Sequence, residues 1–269
     1  MLLTLATRSL ARQIRPEGGG REKPNGKIPI LDLPDYAIRE LQLRGMNVPA
    51  SMLAGWSLEQ FDRLRDRADK AGCPCLVLIE EQPLAFAAAS RKKREAAAER
   101  VRRLAAAAQR LGCNALSISF EAADTDDAFE LVAEEMRGLM PSLERMELNV
   151  LLAPNEGLTH DPDRLTDLIK RIGGFRIGSL PSFEHAAATG DVIGTLRKLA
   201  PYAGAVHASV MGFSKAGKHT GFDLGECVEA IRSVGFVNTL AIDYRGKTNA
   251  VAAIERAREL LQEAIEAAP

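Results

Sequence analysis

The sequence predicts an α/β chain in which eight parallel strands, each followed by a helix, close into a (β/α)8 TIM barrel spanning residues 1–269 as one domain. Three observations carry that reading. Short apolar runs alternate with longer segments of helical spacing, as parallel βαβ units require. Eight such units occur, the number that closes this kind of barrel. No G-x-G-x-x-G follows the first apolar run, so a doubly wound open sheet lacks its usual support. A chain of 269 residues buries roughly 75% of its unfolded surface and needs no disulfide or structural metal to fold.

Leu2–Ala6 is the first strand, and Gly18–Gly20 with Pro24–Gly26 mark a polar loop after it. Pro34 to Leu43 has helical spacing and a Pro-Asp start, and Gly45–Val48 is a short second strand. Ser57 with Gln60 three residues later forms a capping box, and Gly72 stops the helix it opens. Cys73–Glu81 is continuously apolar until its last residues, as a strand buried on both faces should be. A helix from Ser90 to Leu111 follows, ending at Gly112, and Asn114–Glu121 is the fourth strand. The next helix opens on the acids of "DTDDAFELVAEEM", placed where a helix dipole favours them. "MELNVLLA" is the fifth strand and ends on Ala153, with "DPDRLTDLIKRIGG" as its helix. "FRIGSLP" is the sixth strand, followed by one helix from His185 to Leu199. "AGAVHASV" and "NTLAIDY" are the seventh and eighth, followed by "DLGECVEAIRSVG" and "NAVAAIERARELLQEAIEAA".

A net charge of -1 gives no sign of a nucleic-acid or membrane partner. The run Arg91–Arg94 is interleaved with acids farther along its helix and reads as a solvated face. No stretch approaches the ~18 apolar residues of a membrane span. Cys73, Cys75, Cys113 and Cys227 show no paired C-x-x-C spacing and read as reduced, buried thiols of a cytoplasmic protein. Arg8, Arg12 and Arg15 give the N-terminus a faint transit-peptide character, but a first strand and basic loop account for it better.

In a barrel of this kind the site lies at the C-terminal strand ends. The polar residues there are Arg8, Glu80, Glu81, Glu121, Asn155, Glu156, Ser182, His185, His207, Ser209, Asp243 and Arg245. His207 interrupts an apolar run, either as a hydrogen-bonded core residue or as a site residue at the mouth. Asp243 is costly in a buried strand unless it is paired or metal-bound, and Arg245 and Arg8 are its natural ion-pair partners. "FSKAGKHTG" hangs Lys215 and Lys218 over the mouth, as a phosphate- or sugar-binding loop or as an ordinary one.

"LLAPNEGLTHDPDRL", "GSLPSFEH", "VHASV", "LAIDYRG" and "FDLGECVEAIRSVGF" together resemble the sugar phosphate isomerase/epimerase family, the xylose isomerase-like TIM barrels that also include AP-endonuclease-type barrels. The resemblance covers essentially the whole chain and implies a divalent metal held by Glu, Asp, His and Glu from strands five to eight. It also implies a small sugar-like ligand whose protons move beside a carbonyl. Carried over, those four positions are Ala153, Ser182, His207 and Asp243, so one residue is identical and one similar. One divalent ion (Mn, Mg or Zn) would then rest on His207 and Asp243, against the roughly four to six donors such ions take. Glu156 and His185 are the neighbours that would complete a rebuilt set.

Three functions compete. An isomerase or epimerase would use Asp243, His185 or Glu156 as base, with His207, Arg245 or a rebuilt metal site stabilising the oxyanion. Asn155, Ser182, Ser209, Lys215 and Arg245 would contact its ligand. A pseudoenzyme would bind a ligand or a protein partner without chemistry. An AP-endonuclease-type nuclease would need a multi-metal cluster, for which four histidines and a depleted ligand set are a poor start. A homo-oligomer is compatible with each.

Overall fold

The computed structural model describes residues 1–17 and 26–267, so the expected polar loop lies outside the described residues apart from Gly26. Eight parallel strands form one curled sheet: β1 (Leu2–Ala6), β2 (Met46–Pro49), β3 (Cys75–Ile79), β4 (Ala115–Ile118), β5 (Asn149–Leu152), β6 (Ile177–Ser179), β7 (Ala205–Val210) and β8 (Thr239–Tyr244). Their order is β6-β5-β4-β3-β2-β1-β8-β7. The two ends meet through parallel bridges, Ser179 with Ala203 and Ser182 with His207. His207 N–H donates to Pro181 O at 2.9 Å across this seam, which closes the barrel. A separate two-residue ladder joins Ile14–Arg15 to Ile28–Pro29.

The helices are α1 (Leu33–Arg39), α2 (Leu58–Ala71), α3 (Arg91–Leu111), α4 (Asp126–Arg145), α5 (Pro162–Ile172), α6 (Phe183–Ala188), α7 (Val192–Leu199), α8 (Leu224–Arg232) and α9 (Ala250–Glu266). The capping box at Ser57 is formed in both directions, with Ser57 N–H donating to Gln60 Oε1 at 2.8 Å, and Gly72 ends α2 at φ +68°. The main apolar core lies between the strands and these helices. A smaller cluster that includes Val77, Ile79, Ala115, Leu151 and Ala205 alternates along the strands with the main core and fills the barrel interior.

Two expected elements change. The helix expected from Pro34 to Leu43 stops at Arg39. Gln42 adopts φ +57°, and the chain turns back to bury Leu41 and Leu43 completely. The single helix expected from His185 to Leu199 is two, α6 and α7, broken at Gly190 (φ +84°). Asp191 recaps the second by accepting from Gly194 N–H at 2.9 Å, a local bond that competes with a continuous helix. The expected strands also overrun, because beyond Ile79 and Ile118 only isolated pairings such as Leu84 with Phe120 continue.

Candidate functional site

Four neighbouring strands bring the polar residues of the mouth together. Arg8 lies in the 3-10 turn after β1, Asn47 on β2, His207 and Ser209 on β7, Asp243 on β8, and Arg245 just beyond it. Register fixes the grouping: Asp243 lies beside Ser209, and His207 beside Ala241.

Asp243 is fully buried. Arg8 holds it with two bonds, Nε to Oδ1 at 2.7 Å and Nη2 to Oδ2. Arg245 Nε donates to Oδ2 at 2.8 Å, and Arg245 Nη2 lies 3.3 Å from Glu184 Oε2. Two guanidiniums thus surround one carboxylate, with the planar geometry that arginine supplies. His207 Nδ1 stands 3.6 Å from Asp243 Oδ2, within electrostatic reach but beyond a hydrogen bond. Its Nε2 accepts from Asn47 Nδ2 at 3.1 Å, which places the ring proton on Nδ1, facing the carboxylate.

The titration behaviour follows from this packing. Burial works to raise the Asp243 carboxyl, but His207 and Arg8 beside it outweigh burial and hold it well below the usual carboxylate range. Burial pushes the His207 imidazole below its ordinary value; Asp243 opposes that shift while Arg8 and Arg245 add to it. The pair is therefore an ionised carboxylate beside a neutral imidazole at pH 7.

The other expected site residues are distributed differently. Ser182 Oγ caps α6, accepting from His185 N–H at 3.2 Å. His185 Nε2 donates to His160 O at 3.0 Å, its ring stacks edge-on against His160, and its Nδ1 is buried without a partner among the described residues. Burial and His160 lower the His185 pKa to about 4, so it too is neutral. Glu156 is exposed and lines a separate groove with Lys93 and Glu121, over the β3–β5 loops. Asn155 braces its own loop, donating from Nδ2 to Phe120 O at 3.0 Å. Lys215 is exposed at the tip of a hairpin pinned by Ser214 N–H to Lys218 O at 2.8 Å. Ser209 Oγ is buried beside Asp243 with no partner among the described residues. Glu80 pairs with Arg100 of α3 at 2.5 Å, and Glu81 accepts from Ser51 Oγ.

The donors present do not fit a divalent metal at this mouth. Both Asp243 oxygens accept from guanidiniums, His207 Nε2 accepts from Asn47, and Ala153 offers no donor atom. Among the described residues, no three His, Cys, Asp or Glu side chains converge as a metal site. The rebuilt set of Glu156, His185, His207 and Asp243 is therefore not assembled, because His185 turns to His160 and Glu156 to the groove over the β3–β5 loops.

Sequence reasoning passed over two residues. Asn47 fixes the His207 tautomer, and its only signal is an amide inside the short apolar strand "MNVP". Glu184 backs Arg245 and carries no sequence signal, because an acid in the first turn of a helix is ordinary.

No helix among the described residues is long and apolar enough to cross a membrane. Known folds agree with the architecture. The chain superimposes on L-ribulose 3-epimerase with a TM-score of 0.77 at 15% identity, covering 88% of this chain and 89% of that one. For D-psicose 3-epimerase of Clostridium cellulolyticum H10 the values are 0.73 and 13%, with 99% and 97% covered. For the probable 3-DHS dehydratase AsbF of Bacillus anthracis they are 0.73 and 15%, with 97% and 99% covered. At such identities the likeness is one of fold. No curated protein sequence gives a significant match. The family profile described as xylose isomerase-like TIM barrel matches residues 36–265, and the chain belongs to that family.

Proposed function

We propose that the chain binds a small sugar-like ligand at the C-terminal mouth of its barrel without a divalent metal, and that it has left the metal-dependent chemistry of its relatives behind. One observation carries this reading: Arg8 and Arg245 occupy the charge-neutralising position beside Asp243 that a metal would otherwise fill. Their remaining N–H groups, with Ser182, are the donors for ligand hydroxyl or anionic oxygens. Asp243 is held ionised and immobile, both His207 nitrogens face polar partners, and neither is a free base. Structural neighbours that act on sugars support the ligand class. The four free, buried cysteines support a reducing, cytoplasmic setting.

A second reading, an isomerase or epimerase that moves a proton beside a carbonyl, draws on the His207–Asp243 pair, 3.6 Å apart. It requires a ligand that draws Arg8 and Arg245 off Asp243 and frees the carboxylate to act as base. The deciding experiment combines metal analysis, titration with Mn²⁺ and Zn²⁺, and a thermal-shift and isomerisation screen of ketopentoses, ketohexoses and their phosphates. Wild type is run beside His207→Ala and Arg245→Met. The binding reading expects no stoichiometric metal and a ligand-induced stabilisation that Arg245→Met abolishes. One metal per chain, lost in His207→Ala, overturns it. Sugar isomerisation without metal establishes the second reading instead.

A further inference from the structure

A second pocket of about 550 Å³ lies on the outside of the barrel, between α2 and α3. None of Arg8, Asn47, His207, Asp243 or Arg245 lines it. Its floor reaches Leu78, which belongs to the outer core, whereas its neighbours Val77 and Ile79 face the barrel interior. The volume falls in the range of small-ligand sites.

The walls differ in kind. One is apolar and aromatic: Trp56 and Phe61 meet edge to face at 5.7 Å, and Leu58 opens α2 with 64% of its surface exposed. Trp56 is the only tryptophan in the chain. The other wall is a row of arginines on α3, Arg100, Arg103 and Arg110, above the small side chains of Ala106 and Ala107. Their spacing keeps all three on one helix face, and the alanines leave the space that longer residues would fill.

The charges are unbalanced inside the groove. Arg100 pairs with Glu80 and Arg110 with Asp62, each at 2.5 Å, but neither acid lines the pocket. Arg103 forms no ion pair among the described residues, and no acidic side chain among them lines the groove. An aromatic wall opposite a guanidinium with no acidic partner among the described residues is complementary to one class of molecule. The apolar body of such a molecule packs on Trp56, Phe61 and Leu58, while its anionic oxygens take paired N–H groups of arginine.

We propose that this outer groove binds a small amphipathic anion, an aryl or short acyl group carrying one carboxylate or phosphate, with Arg103 as its anchor. The site is independent of the barrel mouth and of whatever that mouth binds.

The single indole N–H of Trp56 gives one nuclear magnetic resonance signal that reports on the groove. The full chain is titrated with 3-phenylpropanoate, with phenyl phosphate and with the neutral 3-phenylpropan-1-ol. The proposal expects saturable movement of the Trp56 signal with at least one anion, and the tighter of the two identifies the headgroup. It expects the alcohol to bind at least about tenfold more weakly, the discrimination that a charge-assisted bond supplies. Arg103→Ala changes an exposed side chain that forms no ion pair among the described residues and should keep the wild-type melting temperature while weakening the anion at least about tenfold. If neither anion moves the signal, if the alcohol binds as well as the anions, or if Arg103→Ala binds them as wild type does, the proposal is wrong.

Discussion

Asp243→Asn isolates the contribution of the double ion pair, because it keeps the size of the side chain and removes its charge. Asp243 is fully buried, while Arg8 and Arg245 keep 26% and 32% of their side-chain surface. The substitution leaves two guanidiniums facing each other with Glu184, beside Arg245, as the counter-charge among the described residues. Removing one partner of a buried pair costs about 3–5 kcal/mol, and the partial exposure of the arginines puts the expectation near the lower end. At about 2–4 °C per kcal/mol for a chain of this size, the melting temperature should fall by roughly 6–12 °C at pH 7. Thermal and urea unfolding followed by circular dichroism read the difference. Arg8→Ala and the double variant complete a cycle whose coupling should reach at least about 1 kcal/mol. The pH dependence has a definite sign. The folded Asp243 pKa lies below the unfolded value of 3.8, so its contribution is complete above pH 3.8 and is lost as pH falls toward the folded value. The gap between wild type and Asp243→Asn should therefore hold from neutral pH down to about 4 and narrow below it. His207 adds a separate loss in both proteins below its unfolded value of 6.5, because the folded state resists its protonation. A cost under about 0.5 kcal/mol, or strict additivity in the cycle, would refute the idea that the two arginines and Asp243 act as one unit.

Three further outcomes follow from local geometry. His219 accepts from Met211 N–H through Nε2 at 2.9 Å and donates from Nδ1 to Phe222 O at 2.9 Å, so His219→Ala should speed tryptic cleavage at Lys215 and Lys218. Cleavage at an unchanged rate would mean that this imidazole does not hold the loop. A Cβ on Gly157, which sits at φ +81°, would meet Ala122 O at 2.2 Å, so Gly157→Ala should cost about 1–3 kcal/mol in urea unfolding. Burial raises the Cys73 thiol to about 11 and those of Cys75 and Cys227 to about 12, so iodoacetamide at pH 8 should label none of the four cysteines natively and all four in urea. Native labelling counted by mass spectrometry would contradict that burial.

The barrel was legible because its signals are local and repeated. Apolar runs flanked by caps such as Ser57 and Gly72 mark strands and helices within a few residues of their observed limits. The break at Gly190 leaves little trace in the sequence, because Asp191 restarts the helix at once and the apolar pattern barely shifts. At the mouth, His207, Asp243, Arg8 and Arg245 could be gathered from strand ends alone, and an ion pair to Asp243 was among the alternatives. What sequence could not supply was direction. Nothing in "PSFEH" says that the His185 ring turns to His160, or in "APNEG" that Glu156 lines a groove over the β3–β5 loops. Both choices depend on packing between segments far apart in the chain.

The bond between Arg8 and Asp243 joins residues 235 positions apart, and β1 lies in register against β8. During synthesis the first strand therefore waits for nearly the whole chain before its second neighbour exists. Until then Arg8 has no carboxylate to meet, and one edge of the growing sheet stays unpaired, the condition in which strands go astray. Contacts this distant in sequence close slowly, so the barrel mouth around Arg8 and Asp243 is among the last parts of the molecule to form. A barrel that stalls before its final strand arrives keeps most of its helices and lacks the Arg8–Asp243 pair.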